Sequence, residues 1–171
     1  MLKTPNRKAV YPVKKETRLY NVLFPVWLMY LWPTVIWLIS IPGNFLVDSL
    51  VLILAMKCFK FEQDRKQVWK KSILPVWLFG FLSDLIGAAL VYGVMILCDA
   101  VAPQLNTFLF PGGQLIAVPG ILLAGVLIYF FNKKFSFRKT DLTPEQIKKL
   151  SFALAVWTAP YTMLIPVEWI Y

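Results

Sequence analysis

Histidine is absent from this chain of 171 residues, and cysteine occurs only as Cys58 and Cys98. Without histidine there is no Cys–His or Ser–His nucleophile pair, and two cysteines alone do not complete a zinc site. Acidic residues are scarce too, 9 against 18 Lys and Arg. The sequence offers no Gly-rich phosphate loop and no cluster with metal-ligand spacing. No catalytic residue, metal or cofactor is therefore expected, and nothing here points to an enzyme.

What the chain has is apolar length. It is 58% hydrophobic and 16% aromatic, with a mean hydropathy of +0.63. A soluble domain of this size has too little interior for so much apolar surface. The apolar residues also gather in runs of about 20, the length that crosses a hydrocarbon layer. An all-α integral membrane protein is the expected class.

A net charge of +9 would suggest nucleic acid in a soluble protein. Here the basic residues fall into three blocks of six, in residues 1–18, 57–71 and 132–149. The turn at 42–44, the stretch 99–113 and the C-terminal end carry no Lys or Arg. Alternation of this kind is the positive-inside pattern. It predicts a bundle of about five transmembrane helices, N-terminus inside and C-terminus outside, with spans near 19–41, 44–57, 73–98, 112–131 and 150–170. Residues 1–18 form a basic cytoplasmic tail, 19–171 one transmembrane domain, and 57–71 and 132–149 cytoplasmic loops. The anionic inner leaflet, rather than nucleic acid, is the expected partner of these charges. Cys58 and Cys98 then lie on opposite sides, too far apart for a disulfide within one chain.

The first apolar run follows basic residues, as a secretory leader would. It is longer than an h-region of about 7–15 residues and has no small-x-small end, so it is read as a retained span. The absence of targeting segments and the economy of the chain suggest a multi-pass protein of a prokaryotic cytoplasmic membrane. So small a bundle is expected to form a homo-oligomer or to join a membrane complex.

Two aspartates inside the spans are the leading site candidates, because intramembrane charge is costly and usually faces a protein interior or wet cavity. Asp84 falls near the middle of span three. Asp48 falls about one turn past "IPGN", at 41–44, where Pro42 and Gly43 are read as the turn between spans one and two. Asp48 is thus either hydrated near the outer surface or buried. With no Lys or Arg inside the spans, each carboxyl must be protonated, hydrogen-bonded to Ser, Thr or Asn, or holding a cation. In "GFLSDLIGAALVYG", Gly80, Asp84, Gly87 and Ala88 share one helical face, and small residues there admit close helix packing. Span five, broken by "TAPYT", offers Thr158, Tyr161 and Thr162. Span four carries "PGGQ" and Pro119-Gly120, which make it either a discontinuous helix or a kinked span after a plain external loop.

"PVWL" occurs at 25–28 and 75–78 and is echoed by "AVWT" at 155–158, so each Val-Trp pair follows a basic block in an odd-numbered span. Ahead of span five, "TPEQ" carries a capping box, with Thr143 as N-cap and Gln146 at N3. "KKFSFRK" interleaves Lys133, Lys134, Arg138 and Lys139 with phenylalanines, a composition suited to headgroup contact. The longer segment "YFFNKKFSFRK" resembles, over about a dozen residues (Asn132, Lys133, Phe137), the Asn-Arg-x-x-x-Phe segment of the GtrA-like family of small membrane proteins. That resemblance implies a link to polyprenyl-sugar translocation, although two spans follow the segment in that family and one is expected here. The aspartates suggest intramembrane aspartyl proteases only in outline, since the Gly-x-Gly-Asp motif is missing from both. Transport of a small solute or lipid-linked intermediate through Asp84 and Asp48 is the expected function. The alternative is a non-catalytic subunit or assembly factor of a membrane complex.

Overall fold

The computed structural model describes residues 35–102 and 111–165. These residues are helical, with no strand among them: α1 (Val35–Cys58), α2 (Arg65–Val101), α3 (Gly112–Phe131) and α4 (Pro144–Trp157). A π-helical turn, Asn132–Ser136, prolongs α3, and a 3₁₀ turn, Tyr161–Leu164, follows α4. Three of the helices are long and apolar enough to cross a membrane. Residues 19–34, most of the expected first span and the first "PVWL", lie outside the described residues.

Two expectations are corrected. No turn exists at 42–44, because α1 passes straight through Pro42 and Gly43. The end of the expected first span and all of the second are therefore one helix. Pro and Gly break helices in water, which takes up the freed backbone groups, whereas an apolar surrounding favours keeping the remaining bonds inside the helix. A neighbour braces this turn: the Trp77 indole N–H donates to the Ile41 carbonyl at 3.1 Å. The expected fifth span is the second correction. Its helix stops at Trp157, and the chain continues through Pro160 into the 3₁₀ turn. Span four is an unbroken helix from Gly112 through Pro119.

The helices form a closed ring. α1 packs on α2 and α4, and α3 packs on α2 and α4. The α2–α3 contact is the tightest, since a Cβ on Gly87 would stand 2.6 Å from the Gly120 carbonyl oxygen. Pro119-Gly120, read in sequence as a break, thus serves as a packing surface. Gly80, Asp84, Gly87 and Ala88 are all buried, as their shared face suggests.

The end carrying the basic residues is fastened by polar bonds. α1 closes with bonds from Phe61 N–H to the Met56 carbonyl and from Lys60 N–H to the Lys57 carbonyl. This is a Schellman motif with Lys60 in the left-handed position, φ 53°. Asp64 caps α2. The capping box at Thr143 is complete, with Gln146 N–H donating to Thr143 Oγ1 and Thr143 N–H donating to Gln146 Oε1. The Gln63 and Gln146 amides bond reciprocally at 3.0 and 3.2 Å, tying the α1–α2 loop to the start of α4.

Candidate functional site

α1 brings Asp48, and α2 brings Asp84, to one small cavity inside the ring. Each is 4% exposed, which settles the two readings of Asp48 in favour of burial. The cavity measures about 20 Å³ and is also lined by Asn44, Gly80, Phe81 and Thr158. That is room for about one water molecule. No Lys or Arg lines it.

Local structure explains the convergence. Asn44 and Asp48 stand one turn apart on the face of α1 that meets α2. Gly80 lets the carboxyl lie flush against α2, since a Cβ there would be 3.4 Å from Asp48 Oδ2. Thr158 arrives because α4 ends at that depth, where Thr158 N–H and Oγ1 both bond the Leu154 carbonyl at 2.8 Å. The C-terminal end of a helix carries partial negative charge from its free carbonyls. Two carboxyls and a helix C-terminus therefore meet with no fixed positive charge, so a proton or a cation is what can neutralise them.

The hydrogen bonds constrain the chemistry further. Thr158 Oγ1 donates its single proton to the Leu154 carbonyl at 2.8 Å while lining the cavity beside Asp48. Among the described residues, the buried Asp84 Oδ1 has no hydrogen-bond partner, so it is the acceptor the site leaves free. Among the described residues no group of three His, Cys, Asp or Glu side chains is placed to hold a metal ion.

The other sequence candidates fall elsewhere. Tyr161 is exposed, and its hydroxyl donates to the Val156 carbonyl at 2.7 Å instead of reaching the cavity. Thr162 is exposed as well. Trp77 shares helix α2 with Asp84 but turns to α1, where its ring meets Phe45 edge-on. Trp157 is 72% exposed, so the two described Val-Trp pairs have no common role. Lys133, Lys134, Arg138 and Lys139 are all exposed at the basic end. Lys133 stands over the Tyr129 ring at 5.5 Å, and Arg138 over Phe135 at 5.1 Å. Asn44 was legible as a polar residue four before Asp48, but the supposed turn concealed that they share a helix face. No family model, curated protein or solved structure matches the chain.

Proposed function

We propose that this protein moves a small solute or lipid-linked intermediate across a membrane by binding and releasing a proton or monovalent cation at Asp48 and Asp84. One observation carries the reading: two buried carboxyls from different helices close on a one-water cavity at the end of a broken helix. Helices that stop at a midplane site are a recurring transporter device. In this reading the basic end faces the cytoplasm of a prokaryotic cell, N-terminus inside and C-terminus outside. Lys133, Lys134, Arg138 and Lys139 meet anionic headgroups, and a second copy or a membrane partner completes the assembly.

The subunit alternative relied on the small-residue face of α2 as an interface. That face is occupied inside the chain, Gly80 by Asp48 and Gly87 by Gly120. The test uses the purified protein in sealed vesicles holding a pH-sensitive dye under an imposed pH gradient. Sodium, potassium or a panel of small solutes is added in turn. Wild type should collapse the gradient with at least one addition, while Asp84→Asn and Asp48→Asn should not, at unchanged thermal stability. Equal traces for wild type and both variants, with a stoichiometric partner recovered in mild detergent, would replace transport by the subunit reading.

A further inference from the structure

Beneath the carboxyl cavity the ring is layered, and the layers follow from helical arithmetic. One turn toward the basic end from Asp48, Gly80 and Thr158 stand Leu52, Val76 and Leu154, joined by Ile128 of α3 in one apolar cluster. Their exposures are 0, 1, 0 and 1%. One further turn, roughly 5.4 Å on, polar side chains join the interior on the other three helices, while Met56 continues the apolar cluster on α1. Ser72 lies four residues before Val76, Ser151 three before Leu154, and Asn132 four after Ile128. Ser136 follows one turn later in the π-helical segment. All four are no more than 2% exposed.

One contact sets Asn132 and Ser151 at a common depth: Gly125 of α3 faces the Ala155 carbonyl and Ala159 of α4, so counting down both helices brings the two level. Phe131 and Phe135 both pack on Phe79, which holds the π-helical turn against α2.

Their hydrogen bonds are incomplete. Ser72 Oγ donates to the Val68 carbonyl at 2.7 Å, and Asn132 Nδ2 donates to the Ile128 carbonyl at 2.9 Å. Asn132 Oδ1, Ser136 Oγ and Ser151 Oγ have no partner among the described residues. Orphaned polar atoms are rare in native interiors, where ordered water normally meets them. π-Helical turns also occur disproportionately at functional places. Below Ser72, a cavity of about 110 Å³ lined by Gln67, Val68, Lys71, Thr140 and Asp141 supplies a polar vestibule.

We infer that Asn132, Ser136 and Ser151 hold a cluster of buried water, and that the single layer of Leu52, Val76, Ile128 and Leu154 is the barrier between that water and the Asp48–Asp84 pair. The barrier rests on the proposed function, whereas the hydrated layer stands without it. A proton leaving the Asp48 carboxyl passes to a water oxygen, leaving a carboxylate, and the return step reverses this. Apolar constrictions of this kind close by excluding water and open when briefly wetted.

Two measurements test the two halves. X-ray radiolysis in ¹⁸O-water marks side chains that touch ordered water, even buried ones. Relative to each side chain's intrinsic reactivity, Phe137 and Leu150, at 1 and 0% exposure, should be labelled several-fold more than Val91 and Ile121, at 0 and 7%. Asn132→Leu and Ser151→Ala should each lower that labelling, so the result survives if one variant fails to fold. Equal labelling of the four positions in wild type would overturn the water cluster.

The barrier is read from the rate at which the aspartate carboxyl band shifts in D₂O, followed by difference infrared spectroscopy. Leu154→Ala should speed the shift several-fold, and Asn132→Leu should slow it. A rate indifferent to Leu154→Ala would overturn the barrier. If wild type shows no carboxyl band that Asp48→Asn or Asp84→Asn removes, the proton-site reading fails, and radiolysis still decides the hydrated layer.

Discussion

At the end away from the lysines, α2 and α3 meet backbone to backbone at Gly87 and Gly120, and Ala88, Val91, Ile116, Ala117 and Ile121 close around them. At the basic end larger side chains fill the interior, among them Met56, Ile128, Phe137, Leu150 and Leu154, with Asn132, Ser136 and Ser151 buried too. The first region has no slack, since any side chain on either glycine strikes a backbone. The second is joined by many moderate contacts, and Asn132 Oδ1, Ser136 Oγ and Ser151 Oγ there have no hydrogen-bond partner among the described residues. Asp48 and Asp84 lie where the two regimes adjoin. The carboxyl pair thus has a fixed backbone crossing on one side and a core with buried polar groups on the other.

The contrast breaks most sharply at glycine. Gly120→Val places a Cβ 2.3 Å from Val91 Cγ2 and 2.7 Å from the Gly87 carbonyl oxygen. It should cost about 3 kcal/mol or more, the upper range for overpacking, read as loss of the unfolding transition in detergent. Gly43→Ala and Gly93→Ala meet nothing within 4 Å and should lose no stability in the same assay.

Substitutions at the basic end should be graded. Thr143→Ala removes one arm of the capping box and should cost about 1 kcal/mol, with α4 fraying first in hydrogen exchange. Lys60→Gly relieves a left-handed residue and should gain about 0.5 kcal/mol, less than the full penalty because glycine also loosens the unfolded chain. Lys71→Ala breaks the 3.4 Å bond to the exposed Asp141. Its effect should stay under about 0.5 kcal/mol and vanish in high salt. A large loss from any of these three would show that the basic end is as rigid as the glycine crossing.

Much of the bundle was legible in the sequence because its signals are local or periodic. The capping box at Thr143, the start of α3 at Gly112 and the buried face of Gly80, Asp84, Gly87 and Ala88 all depend on spacing along one helix. The errors arose where neighbours decide. Pro42 and Gly43 read as a turn, but packing against Trp77 and an apolar surrounding keep α1 straight. Thr158 read as one of three polar residues near a kink, and only the halt of α4 separates it from Tyr161 and Thr162. Ser136 and Ser151 carried no signal, and Asn132 stood out only through the GtrA-like resemblance, not as a buried polar group. Single polar residues in a helix are commonplace, and only the ring of helices reveals that three of them lack partners.

The reciprocal amides of Gln63 and Gln146 have a mechanical consequence. They pin α4 near one end, while Thr158 stands twelve residues away, roughly 18 Å along the axis. A rotation of about 5° about that pivot carries Thr158 through roughly 1.5 Å, half the length of a hydrogen bond. A slight rocking about the pin is thereby enlarged at the cavity that Thr158 lines beside Asp48.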